Sequence, residues 1–164
     1  MHIALVGMMA SGKTTIGRLV AESLGRAYVD NDERLAGRTG LSPRQIEEQD
    51  GLPALHHLEI SLLHEALAAD EPAVVAAAAS TVEDTGCREA LAQKAFTVWL
   101  VLPPDVIAGK VADSDRPRGG DDIATLAIAR APLYREIADL VVEVDTLTPE
   151  AAAELIVAAF TSST

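Results

Sequence analysis

Gly7-Met8-Met9-Ala10-Ser11-Gly12-Lys13-Thr14 matches the pattern G-x-x-x-x-G-K-[ST] at every fixed position. It follows the short apolar run 3–6 and precedes residues 15–24, whose apolar side chains repeat with helical spacing. A strand, a glycine-rich turn and a helix in this order predict a phosphate-binding loop at a helix N-terminus. Lys13 then reaches the terminal phosphates, and the Thr14 hydroxyl reaches Mg²⁺. The residues expected to bind the nucleotide are Gly7, Met9, Ala10, Ser11, Gly12, Lys13, Thr14 and Thr15.

Bulk composition narrows the class of protein. The chain has 164 residues, of which 49% are hydrophobic, and this suits one domain with a buried core. A formal net charge of −12 disfavours nucleic acid as a partner, because its phosphates are held mainly by Lys and Arg. The single cysteine, Cys87, cannot form an internal disulfide, which fits a reducing compartment. We expect one cytoplasmic, monomeric domain over residues 1–164, with no nucleic-acid partner and no membrane partner.

Strand-like and helix-like segments alternate along the chain. Short apolar runs typical of parallel strands buried on both faces are separated by segments with helical spacing. The predicted strands are 3–6, 26–29, 72–79, 96–102 and 140–144. This alternation predicts an α/β fold, in which ligands bind at the carboxyl ends of the strands.

Two carboxylates follow the second predicted strand. Asp30 and Asp32 are two residues apart, so an extended backbone would turn both toward the carboxyl edge of the sheet. The alternative is that the pair caps the next helix. The run 72–79 carries no acidic residue at its end, so ordering of Mg²⁺ falls to Asp30.

Several histidines lie on the predicted leucine-rich helix 54–69. His57 and His64 are seven residues apart and could share a face. Neither an H-E-x-x-H motif nor a Cys partner accompanies them in sequence, so we interpret both, with Glu59, as polar-face positions of that helix. Cys87 is interpreted as a small, inert side chain near a helix start.

Residues 113–122 form the most polar and glycine-rich segment of the chain. Such a segment predicts a surface loop. It is interpreted either as a solvated loop or as a lid that carries Arg116 onto the nucleotide phosphates. A long helix to residue 139 follows, with Leu126, Ile128, Leu133 and Ile137 expected to face inward.

Landmarks along nearly the whole chain together resemble the shikimate kinases, a family of phosphate-loop enzymes. They are the run from Gly7 to Gly25, the pair Asp30 and Asp32, the set Thr39, Gly40, Ser42, Ile46 and Gly51, the dipeptide Arg116-Pro117, and Arg130-Ala131-Pro132-Leu133-Tyr134-Arg135 followed by Ile137-Ala138. The resemblance implies a three-layer α/β/α phosphate-loop kinase fold with a five-stranded parallel sheet in the order 2-3-1-4-5. It also implies transfer of the ATP γ-phosphoryl group to a hydroxyl of shikimate or a related hydroxy acid, in aromatic amino acid biosynthesis.

Roles follow from the resemblance position by position. Lys13 and Arg116 would stabilise phosphoryl charge, with Mg²⁺ held by Thr14 directly and by Asp30 through its water shell. Asp32 would hold or deprotonate the acceptor hydroxyl, and Arg130 would pair with the acceptor carboxylate. The acceptor would bind in a helical region of about 31–67, under a lid of about 113–121.

Some of the residues expected to bind the acceptor depart from the family pattern. His56 stands where the family places a second carboxylate-binding arginine, and Ala78-Ala79-Ser80 replaces its three-glycine run. The expected acceptor-binding residues are Asp32, His56, Ala78, Ala79, Ser80 and Arg130. Two alternatives stay open: a catalytically weak ATP-binding regulatory protein, and a kinase for a different small metabolite. A nucleoside or gluconate kinase is disfavoured by the run Arg130-Ala131-Pro132-Leu133-Tyr134.

Overall fold

The computed structural model describes residues 1–112 and 122–163, with the Ala112 side chain left out. Strands and helices alternate along this part of the chain, as the sequence predicts. The strands are β1 His2–Val6, β2 Ala27–Asp30, β3 Ala73–Ala76, β4 Ala95–Val101 and β5 Leu140–Glu143. The helices are α1 Lys13–Leu24, α2 Asn31–Thr39, α3 Pro43–Asp50, α4 Leu52–Leu67, α5 Thr85–Lys94, α6 Pro104–Ala112, α7 Ile123–Ile137 and α8 Pro149–Ser163, and a 3₁₀ segment covers Ala79–Glu83.

The five strands form one parallel sheet in the order β2-β3-β1-β4-β5, so the predicted order is confirmed. β1 lies at the centre, where Leu5 pairs with Ala76 on one side and with Val98 on the other. All carboxyl ends of parallel strands lie at one edge of a sheet. The phosphate loop, Asp30 and the residues after β3 therefore meet at one place.

Helices cover both faces of the sheet and give the expected three layers. Along β1, Ala4 and Val6 pack with α4, α5 and α7, whereas Ile3 and Leu5 pack with α1 and α8. This alternation follows from the two-residue period of a strand. A smaller apolar cluster joins α2, α3 and α4 through Leu35, Ile46, Leu55 and Leu62. That cluster anchors the helical region beside the carboxyl edge.

Two local predictions differ from the structure. The third strand ends at Ala76 rather than at residue 79, and the chain turns into the 3₁₀ segment. Ile128 is 65% exposed instead of inward, because α7 buries Ala127, Arg130, Tyr134 and Ile137. Among the described residues, no helix has both the length and the apolar character needed to span a bilayer.

Candidate active site

A cavity of about 390 Å³ opens at the carboxyl edge of β1, β2 and β3. Its wall contains all the sequence-predicted site residues that the structure describes except Gly7. These are Met9, Ala10, Ser11, Gly12, Lys13, Thr14, Thr15, Asp30, Asp32, His56, Ala78, Ala79, Ser80 and Arg130. Arg116 and the predicted lid 113–121 lie outside the described residues.

The backbone of the phosphate loop depends on its glycines. Gly7 has φ of +143°, and a Cβ there would lie 2.6 Å from the Leu100 carbonyl oxygen. Gly12 is left-handed at φ of 90° and directly precedes α1, whose N-terminus has no side-chain cap among the described residues. The Ser11 hydroxyl is buried and has no hydrogen-bond partner in the described part of the chain. An uncapped helix N-terminus beside a buried polar group suits an anionic ligand such as a polyphosphate.

Lys13 bridges the two ends of this loop. Its Nζ donates to the carbonyl oxygens of Gly7 and Met8 at 2.8 and 2.9 Å. The side chain also lines the cavity. The ammonium group is therefore already placed beside the loop where phosphates would lie.

Asp30 connects the phosphate loop to α2. Its Oδ2 accepts from the Thr14 hydroxyl at 3.0 Å and from the Tyr28 phenol at 2.6 Å. Its Oδ1 accepts from the backbone N–H groups of Asp32 and Glu33, which caps α2. Asp30 therefore caps α2 and lines the cavity as well. Burial and the neighbouring Asp30 carboxylate raise the pKa of Tyr28, so its phenol keeps the donated proton.

Asp32 reaches the cavity by a different route from the one expected. An extended backbone would have turned Asp32 toward the sheet edge, but α2 begins at Asn31. Asp32 therefore lies in the first turn of a helix and still lines the cavity.

Arg130 is 122 positions from Met8 of the loop in sequence, and α7 brings it to the cavity. The residue is 4% exposed, and its Nε donates to Oε1 of Glu83 at 2.8 Å. Its Nη1 lies 3.8 Å from the sulfur of Met8. One turn later, the Tyr134 hydroxyl donates to the Ala79 carbonyl at 2.7 Å, which fixes the backbone after β3. Glu83 is a cavity residue that the sequence analysis missed.

Glu59 is a second missed residue, and its interpretation as a polar-face position is wrong. It is 6% exposed, lines the cavity and accepts a hydrogen bond from the Ser80 hydroxyl. Burial raises the pKa of Glu59 to about 7, against the opposing effect of the Ser80 hydrogen bond. Its spacing of four from Leu55 and three from Leu62 places it on the buried stripe of α4, and that signal was available.

His56 lines the cavity from α4 and is half-buried. Burial lowers the pKa of His56 below its usual value. The imidazole is therefore neutral near pH 7 and can donate one hydrogen bond without adding positive charge.

A separate group of possible metal ligands lies outside this cavity. The ligand atoms of His64, Asp84 and Cys87 lie within 4.8 Å of one another, and Cys87 Sγ is 3.8 Å from His64 Nε2. Cys87 thus lies near His64 in space although not in sequence, and His64 is exposed on α4 as expected. Asp84 already serves as the N-cap of α5 through the Cys87 N–H. Burial raises the pKa of Cys87 to about 12, so the thiol stays protonated.

Known proteins resemble this chain in both sequence and fold. A family model described as shikimate kinase matches residues 9–161. The shikimate kinase of Pseudomonas entomophila (strain L48) is 36% identical over 154 residues, covering 90% of this chain and 89% of the relative. A structure of shikimate kinase from Acinetobacter baumannii in complex with shikimate superposes with a TM-score of 0.89 at 27% identity, covering 99% of this chain and 93% of that chain. Shikimate kinase from Aquifex aeolicus vf5 superposes with a TM-score of 0.86 at 29% identity, covering 99% and 98%.

Proposed function

The chain belongs to the shikimate kinase family of phosphotransferases, which use ATP and act on a hydroxyl of shikimate, and we propose that this protein phosphorylates shikimate in the cavity at the carboxyl edge. The observation that carries the proposal is that Asp32 and Arg130 line the same cavity as the phosphate loop. A carboxylate can take a proton from a hydroxyl, and a guanidinium can pair with a carboxylate. These are the two kinds of group that a hydroxylated acid presents.

The loop is the proposed site of the ATP phosphates. Backbone N–H groups at the N-terminus of α1 and the Lys13 ammonium would face the β- and γ-phosphoryl oxygens. Lys13 would then exchange its bonds to the Gly7 and Met8 carbonyls for phosphate oxygens. Arg116, which lies outside the described residues, is assigned to the same phosphates by the resemblance to the family. Charge neutralisation of this kind is the main need of phosphoryl transfer.

Thr14 and Asp30 are proposed to hold Mg²⁺. They offer hard oxygen donors, with Thr14 Oγ1 and Asp30 Oδ2 3.0 Å apart in the cavity wall. The Thr14 hydroxyl would bind the ion directly and Asp30 would bind through water. When bound, the ion would neutralise phosphate charge. Tyr28 fixes the orientation of the Asp30 carboxylate for this task.

The acceptor would bind between Asp32 and Arg130. The acceptor hydroxyl oxygen attacks the γ-phosphorus, the bond from that phosphorus to the ADP oxygen breaks, and the hydroxyl proton passes to Asp32. Arg130 would pair with the acceptor carboxylate, and His56 would donate one hydrogen bond. Ala78, Ala79 and Ser80 would form the wall beside the ring, with the Ala79 carbonyl held by Tyr134.

The product identifies the acceptor directly. The protein is incubated with Mg-ATP and either shikimate or gluconate, and the product is examined by ¹H and ³¹P NMR. We expect one new phosphate ester, coupled to a single ring proton of shikimate, and no ester of gluconate. A gluconate ester, or no ester of either acid with intact ATP binding, would contradict the proposal.

A further inference from the structure

Arg130 is already paired with a carboxylate of the protein itself. Its Nε donates to Glu83 Oε1 at 2.8 Å, and Glu83 belongs to the cavity wall. The two residues are 47 positions apart in sequence, so the pair depends on the packing of α7 against the 3₁₀ segment. The residue proposed to receive the acceptor carboxylate thus has an internal partner.

This pair occupies a donor on one of the edges through which the guanidinium could hold an incoming carboxylate. A guanidinium binds a carboxylate best through two parallel N–H groups along one edge. Glu83 takes the Nε–H, while Nη1 lies 3.8 Å from the sulfur of Met8. A bidentate contact through the Nε edge therefore requires Glu83 to leave.

The two partners differ in their freedom to move. The Arg130 side chain is 5% exposed, whereas the Glu83 side chain is 46% exposed. A buried guanidinium that loses its anion is costly, but a half-exposed carboxylate can be hydrated when it moves away. Glu83 is therefore the partner that yields, and Arg130 stays in place.

The charges beside Arg130 act in the same direction. Asp32 and Glu83 line the cavity together with the cations Lys13 and Arg130. His56 is neutral near pH 7 because burial lowers its pKa. At Arg130 an acceptor carboxylate therefore meets the Glu83 carboxylate with no added positive charge from His56, whereas an uncharged acceptor of the same shape meets no such repulsion.

We propose that Glu83 is a specificity-determining residue of the acceptor site, whose carboxylate neutralises Arg130 in the acceptor-free protein and competes with the acceptor carboxylate. This inference rests on the proposed function and deepens it. It follows that the wild-type site separates a hydroxylated acid from its uncharged analogue only weakly. Removing the Glu83 charge then restores preference for the acid.

The test compares shikimate with its primary amide. Dissociation constants are measured by calorimetry for the wild type and for Glu83→Gln, which keeps an oxygen that can accept from Arg130. We expect Glu83→Gln to bind shikimate about tenfold more tightly, equivalent to about 1.4 kcal/mol, and to bind the amide within about twofold of wild type. Glu83→Asp, which keeps the charge on a shorter side chain, should shift shikimate binding in the same direction by less. Glu83→Asp provides a second measurement of the effect on shikimate binding if Glu83→Gln is unstable.

Glu89→Gln is the matched control, because it removes one negative charge from an exposed position on α5 outside the cavity. The control should bind both compounds as the wild type does. Equal changes for acid and amide at position 83, or weaker shikimate binding, would overturn the inference.

Turnover measured on the same proteins separates the two claims. Binding that shifts as expected without any phosphorylation of shikimate would retain the role of Glu83 and reject the proposed function. Wild-type turnover with an unchanged ratio of the two dissociation constants would do the reverse. If neither compound binds either protein, both claims fail.

Discussion

Glu59 shows how one buried residue can link stability to pH. Its pKa in the folded protein is raised to about 7, whereas the ordinary value is 4.5. The folded state therefore keeps a proton that the unfolded chain has already released between these values. The contribution of Glu59 to the free energy of unfolding is fully present below pH 4.5 and is lost as the pH rises through 7. The loss arises because the ionised carboxylate is poorly solvated in its buried position.

Glu59→Gln should remove this dependence. Glutamine imitates the protonated acid and can still accept from Ser80, so the variant and wild type should be equally stable at pH 4. At pH 8 the variant should be more stable by roughly 3 kcal/mol, which corresponds to the difference between the two pKa values. Chemical denaturation at pH 4, 6 and 8 measures both free energies of unfolding. A stability difference that does not vary with pH would show that Glu59 is not a raised-pKa carboxylate.

Residues whose signal is local in sequence are brought together in the cavity, and their roles stay predictions. Lys13, Thr14 and Asp30 belong to a motif or follow a strand directly, and each lies in the cavity. The pair of Arg130 and Glu83 was not predictable in this way, because it joins positions 47 residues apart. His64 and Cys87 are 23 residues apart and were missed for the same reason.

At the scale of elements, helix ends were predictable because their chemistry is written in a few adjacent residues. Ser42 and Gln45 form a capping box at the start of α3, and Gly25 is left-handed at the end of α1. The end of β3 was not predictable, because the alanine run after residue 76 has no turn residue. Its change into a 3₁₀ segment depends on tertiary contacts, including the bond from Tyr134 to the Ala79 carbonyl.

Asp30 serves α2 and the proposed metal site at once, and Asp30→Asn separates these roles. Asparagine caps helices about as well as aspartate, so the free energy of unfolding should stay within roughly 1 kcal/mol of the wild type. The lost charge should raise the Mg²⁺ concentration for half-maximal turnover by about tenfold or more, on the scale of a lost charge-assisted contact. Thermal unfolding and a Mg²⁺ titration of the rate measure the two effects.

Asp30→Ala is the control for this separation, since it loses the cap as well. It should unfold more readily than Asp30→Asn by about 1 kcal/mol. An unchanged Mg²⁺ requirement in Asp30→Asn would contradict the assignment of Asp30 to the metal.

At the scale of the whole molecule, the parallel sheet gathers distant residues at one edge. Alternating apolar and helical segments predicted the α/β class, and the resemblance supplied the sheet order, which the structure confirms. The geometry of the acceptor end could not be predicted, because His56, Ala79 and Arg130 come from three elements whose packing decides what each side chain contacts. The single domain, the monomeric state and the cytoplasmic location expected from the sequence stay predictions.

In the proposed function this cavity transfers phosphate to shikimate although His56 and Ala78-Ala79-Ser80 replace the family pattern. The most direct test is a steady-state ADP-release assay with Mg-ATP, run with and without millimolar shikimate, with Lys13→Ala as the inactive reference. We predict strong shikimate-dependent release by the wild type and loss of most of it in Lys13→Ala, whose fold should be unchanged. Release that is equal with and without shikimate, in protein shown separately to bind ATP, would contradict the claim and would favour a regulatory ATP-binding protein or another acceptor.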